Sequence, residues 1–129
     1  MPEEIVSAID GMLTEGTEVI PGIGSDIADP DTTENAYSGT PIRPLLSFIA
    51  DGLKPLAQRL PEIKVPLLLF TSTQDHVVSP ADSDFIVATY GGAVEQVKLE
   101  RSYHVATQDF DKQIIFDGAV NFAFAVAES

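Results

Sequence analysis

Apolar residues recur at helical spacing near the start of the chain. Ile5, Ala8, Ile9, Met12 and Leu13 share one side of a short amphipathic helix over residues 4–13, weakened by Gly11 and ended by Gly16. Residues 21–41 lose that pattern. Pro21, Gly22, Gly24, Pro30, Gly39 and Pro41 alternate with Asp26, Asp29, Asp31 and Glu34, which predicts an acidic loop with few core residues. The helical period resumes at Leu45, Phe48, Ile49 and Leu53, with Pro44 suited to a first turn. Pro55 has no amide hydrogen and clashes with the preceding turn, so the prediction is two short helices, about 43–51 and about 55–60.

From Lys64 to Thr71 the pattern changes kind. Val65, Leu67, Leu68, Leu69 and Phe70 are apolar on both faces, as in a parallel strand covered on both sides. A buried helix is the competing assignment, but the run is short and Pro61 and Pro66 disfavour it. Ser79-Pro80-Ala81-Asp82 reads as a helix start, with Ser79 capping, Pro80 in the first turn and Asp82 as a capping-box acid. Gly91 and Gly92 are expected to stop that helix in left-handed conformations. Val94–Leu99 alternates imperfectly, as a strand nearer an edge does. Asp109 or Asp111 is expected to cap a last helix striped with Ile114, Ile115, Ala119, Phe122 and Val126. Gly118 inside it costs about 1 kcal/mol against Ala, which points to close packing there. Strand, helix, strand, helix is the order of a parallel-sheet α/β architecture.

Composition narrows the function classes. Among 129 residues, 44% are hydrophobic, enough for a packed core. With 20 Asp+Glu against 7 Lys+Arg the net charge is −13, which argues against a nucleic-acid partner. No cysteine means no disulfide, thiolate metal site or cysteine nucleophile. The acidic start lacks the pattern of a secretory signal, and the run Val65–Phe70 is far short of the roughly 20 residues a membrane span needs. A cytoplasmic location is the expectation. The acidic stretch 26–34 lacks the spacing of a calcium loop, and Gly22-x-Gly24 has no third glycine for a dinucleotide. No cofactor or metal is implied.

In open α/β sheets, reactive groups gather in loops beyond the carboxyl ends of the strands. Two such loops are predicted: Thr73–Pro80, with Asp75, His76 and Val77, and Ser102–Val105, with His104. A crossover would bring them to a shared rim, where a carboxylate could orient an imidazole. His76 is the rival base, but it adjoins Asp75 and is better placed as a rim or structural residue.

These residues carry a resemblance. Ile63-Lys64-Val65-Pro66-Leu67-Leu68-Leu69, Asp75-His76-Val77-Val78-Ser79-Pro80, and Glu100-Arg101-Ser102-Tyr103-His104-Val105 with Asp109 resemble the end of an α/β-hydrolase of the carboxylesterase and monoacylglycerol-lipase-like branch. Asp26-Ile27-Ala28-Asp29-Pro30 through Pro41 is similar to the segment after the cap in bacterial members. The resemblance implies a division into a cap-region remnant with an acidic loop, 1–41, and the C-terminal part of the core, 42–129. It implies an incomplete sheet, Asp75 as triad acid and His104 as general base. Val77 and Val105, beside that pair, are candidates to line an acyl pocket.

The chain lacks two motifs of the family. No serine has glycine both two positions before and two after it, so the G-x-S-x-G nucleophile elbow is absent, as is a His-Gly oxyanion motif. The expectation is the C-terminal part of a carboxylic-ester hydrolase, inactive alone, acting on a small acyl ester once an N-terminal half completes it. The alternative is a non-catalytic oligomerising or interaction module. Two strands alone are marginal in water, so an open sheet edge also invites self-association.

Overall fold

The computed structural model describes residues 3–128 and divides into two units. One joins Met1–Gly24 to Ala36–Arg59, the other Ser25–Asn35 to Leu60–Ser129. Residues 25–35 of the acidic loop group with the second unit, where the Ala28 and Asp29 amides are held by Asp109.

In the first unit, helix α1 (Glu3–Thr14) buries Ile9 and ends where Gly16 takes a φ of 94°. Strand β1 (Val19–Pro21), at the start of the expected 21–41 loop, pairs antiparallel with strand β2 (Gly39–Pro41) at its end. Three-residue strands containing Gly and Pro carry no readable periodicity. Helix α2 (Ile42–Ser47), a π-helical stretch Phe48–Leu53 and helix α3 (Lys54–Arg59) follow without a break. Pro55 therefore does not split the run. The Lys54 N–H reaches back five residues to the Ile49 carbonyl, and this widened turn accommodates the proline at the next position. Ile42 and Ile49 are buried.

The second unit holds the predicted α/β order: strand β3 (Leu67–Ser72), helix α4 (Pro80–Thr89), strand β4 (Val94–Leu99) and helix α5 (Lys112–Ala127). β3 and β4 are parallel, in register from Leu67 opposite Val94 to Ser72 opposite Leu99. Ser79 caps α4 by accepting the Ala81 N–H at 3.3 Å. Gly91 and Gly92 play a part other than the predicted one. Neither has positive φ. A Cβ on Gly91 would run into the Pro61 carbonyl, and one on Gly92 would sit 2.7 Å from the Val65 oxygen. Glycine is required there by close approach of the chain entering β3. Gly118 of α5 faces Phe70 in the same way, with a Cβ landing 2.9 Å from Cζ of that ring.

Burial in this unit is unusually polar. Leu60 and Leu99 are its buried apolar side chains, against Thr71, Ser72, Ser102, Asp109 and Asp111. Among the described residues every buried side-chain polar atom has a hydrogen-bond partner, so this polarity is a satisfied network. The network lies at the carboxyl ends of β3 and β4. No helix among the described residues is long and apolar enough to cross a membrane.

Candidate functional site

Because β3 and β4 end opposite each other, the loops leaving Ser72 and Leu99 start from one rim. Local bonds stitch them together. The Thr73 N–H donates to the Leu99 carbonyl at 3.0 Å, the Gln74 amide to the Glu100 carbonyl, and the Ser72 hydroxyl to the Ser102 carbonyl.

Above this base the structure brings Asp75 and His104 together. Nδ1 of His104 lies 2.9 Å from Oδ2 of Asp75. The other carboxylate oxygen accepts the N–H groups of Val77 at 2.8 Å and Val78 at 2.7 Å. Asp75 is thus fixed by its own loop on one side and faces the imidazole on the other. Its side chain is 14% exposed, that of His104 38%. Burial opposes ionisation of Asp75, but the Val78 N–H, the His104 ring and the Val77 N–H outweigh it and hold the carboxyl below its ordinary value. An ionised Asp75 is an acceptor only, so this contact suits an imidazole that carries a proton on Nδ1.

The pair borders a cavity of about 620 Å³ whose wall includes Phe70, Val78, Leu99, Val105 and Ile115. Val105 is part of that wall. Val77 is not in that wall, whereas its neighbour Val78 is, although both valines donate their N–H to Asp75 and both are exposed.

Two acids escaped the sequence reading. Asp26 was assigned to a solvated loop, yet its side chain is only 16% exposed and its Oδ1 sits 2.7 Å from Nδ1 of His76. His76, the rival base, is therefore paired elsewhere, with Tyr103 against its ring at 4.5 Å. Asp109 was assigned as a helix cap. It is instead fully buried and accepts four amide protons: from Ala28 (2.7 Å), Asp29 (3.0 Å), Tyr103 (2.9 Å) and Phe110 (2.8 Å). Asp111 precedes α5 without a side-chain capping bond and accepts the N–H groups of Arg101 and Ser102. Ala28 and Asp29 for Asp109, and His76 and His104 for Asp26, lie 50 or more residues away, so local spacing leaves no pattern to read. No group of three or more acidic or histidine residues among the described residues could hold a metal ion.

No family profile matches the chain. A curated relative, the thermostable monoacylglycerol lipase of Bacillus sp. (strain H-257), is 36% identical over 121 residues, covering 91% of this chain and 48% of the lipase. A solved structure from work on LipS and LipT, two metagenome-derived lipolytic enzymes, superposes with a TM-score of 0.80 at 33% identity, covering all of this chain and 50% of that one. This chain resembles the C-terminal part of an α/β-hydrolase lipase or esterase. The Paleococcus ferrophilus monoacylglycerol lipase shares the fold, with a TM-score of 0.68 at 17% identity and 54% of that chain covered. The hydrolase-like chain thus spans about half the length of the relatives it matches. Its two parallel strands with flanking helices fit an incomplete α/β-hydrolase fold.

Proposed function

We propose that this chain supplies the acid and the base of a serine hydrolase that cleaves carboxylic esters. Asp75 holds the His104 ring through Nδ1. Nε2 of His104 takes the proton of a serine hydroxyl contributed from outside these 129 residues, as that oxygen attacks the ester carbonyl. The same Nε2 then protonates the departing alcohol. A water, deprotonated in turn by His104, attacks the acyl-serine carbonyl; the serine oxygen leaves, taking the proton back from Nε2, and the carboxylic acid is released. Val105 and Val78 line the cavity that takes the acyl chain. Lipolytic relatives, one a monoacylglycerol lipase, favour a fatty-acyl glyceride or similar small ester.

The observation that carries this reading is the 2.9 Å contact between His104 Nδ1 and Asp75 Oδ2 at the border of a cavity. Without a serine elbow or an oxyanion hole, the chain alone lacks the covalent step and its main electrostatic stabiliser, so it is expected to be inactive and unlabelled by a fluorophosphonate probe. The test mixes it with the N-terminal half of a matching lipase carrying G-x-S-x-G and assays p-nitrophenyl ester cleavage. Activity that appears only in the mixture and disappears with His104→Ala supports the proposal. A folded complex that stays inert would favour a non-catalytic interaction module, for which the support is the unpaired edge each strand of the β3–β4 pair keeps among the described residues.

A further inference from the structure

Asp26 touches both loops that carry the acid–base pair. Its Oδ1 faces Nδ1 of His76 at 2.7 Å, while its Oδ2 accepts the N–H of His76 at 3.2 Å and the N–H of His104 at 3.1 Å. Its own carbonyl accepts the Val105 N–H at 3.2 Å. One residue thus bonds the residue after Asp75, His104 itself and the residue after His104. The segment that carries it is anchored in turn, since Ala28 and Asp29 donate to the buried Asp109, which also takes the N–H of Tyr103.

We propose that Asp26 is a positioning residue that sets the distance between the Asp75 loop and the His104 loop, a role that rests on the acid–base reading of that pair. The other ties between the loops, from Ser72, Thr73 and Gln74, lie close to the strand ends. Further out, the loops meet through the Asp75–His104 contact, the edge-on rings of His76 and Tyr103, and Asp26, which alone among the described residues bonds main-chain amides of both loops. A hydrogen bond weakens steeply with distance and angle, so an imidazole whose backbone drifts loses its partner before the fold is disturbed. Burial opposes ionisation of Asp26, but the His76 ring and the two amides outweigh it and keep the carboxyl below its ordinary value. The bridge is therefore charged near neutral pH.

The chemistry of the bridge separates two variants. Asp26→Ala removes it. Asp26→Asn keeps one oxygen to accept the amides of His76 and His104, while its NH₂ can donate to His76 in the opposite tautomer. Long-range proton–nitrogen NMR of the full chain, at a pH where the rings are neutral, reads the tautomer of His104. Parent and Asp26→Asn are expected to hold His104 as the Nδ1–H form. In Asp26→Ala that form should fall to about half or less, with amide protection of β3 and β4 retained. His76→Ala should leave His104 as in the parent. An unchanged tautomer in Asp26→Ala overturns the proposal. So does its failure to fold, which would make Asp26 a stability residue. Asp75→Asn is the separate control: if it leaves the tautomer unchanged, the acid–base reading itself falls, whatever Asp26 does.

Discussion

Replacing Asp109 with Ala removes one buried carboxylate from four main-chain amides at 2.7–3.0 Å. A hydrogen bond to a charged group contributes about 1.5–3 kcal/mol, but four bonds to one side chain do not add, and water can enter the space left behind. Removing the carboxylate leaves four amide donors without their acceptor, at about 1–3 kcal/mol for each that stays dry, so with water relieving some of them a loss of about 3–5 kcal/mol is expected here. Amide hydrogen exchange at Ala28, Asp29 and Tyr103 checks it locally, and urea unfolding followed by circular dichroism checks it globally. A loss of 3 kcal/mol corresponds to more than hundredfold faster opening, since about 1.4 kcal/mol is a factor of ten. Asp109→Asn keeps one accepting oxygen and should fall between parent and Ala. Exchange within about threefold of the parent, together with a loss below about 1 kcal/mol, would refute the view that Asp109 anchors the 25–35 segment.

Other outcomes follow from the same geometry. Gly91→Ala should destabilise by about 1–3 kcal/mol or more in urea, because its Cβ meets the Pro61 backbone. Gly11→Ala, with nothing within 4 Å of the added carbon in α1, should gain about 0.5–1 kcal/mol. The carboxyls of Asp26, Asp75 and Asp109 are all depressed in the folded chain, so each contributes stability that is full above the ordinary value near 3.8 and lost as pH falls through the lower folded value. Urea midpoints should therefore hold from neutral pH to about 5 and drop below about 4, less steeply in Asp109→Ala. In the reconstituted hydrolase, Asp75→Asn should lower turnover by about 10⁴-fold, read as ester cleavage per mole of complex.

The β3–α4–β4–α5 order could be read from sequence because its signals are local. A two-faced apolar run, a Ser-Pro helix start and a glycine pair each declare themselves within a few residues. The glycine pair nevertheless serves a different purpose from the predicted one, since contact with residues 61 and 65 is invisible until the chain is folded. Pro55 misled in the same way: proline forbids a regular helix, whereas a widened turn just before it is a third option that no spacing rule announces. At the site, Asp75 and His104 came from strand-end logic joined to a family resemblance. Asp26 and Asp109 could not, because a carboxylate that binds amides dozens of residues away looks like any other surface acid.

The register of β3 against β4 has a further consequence. Each step along a strand is about 3.3 Å and turns the side chains to the opposite face. A slip of one residue would carry one loop past the other by more than the length of the Asp75–His104 hydrogen bond. The imidazole thus serves as a vernier on the sheet: a mispaired chain, however well packed, has no oriented histidine. Alignment of the two strands and the Asp75–His104 contact arrive together or not at all.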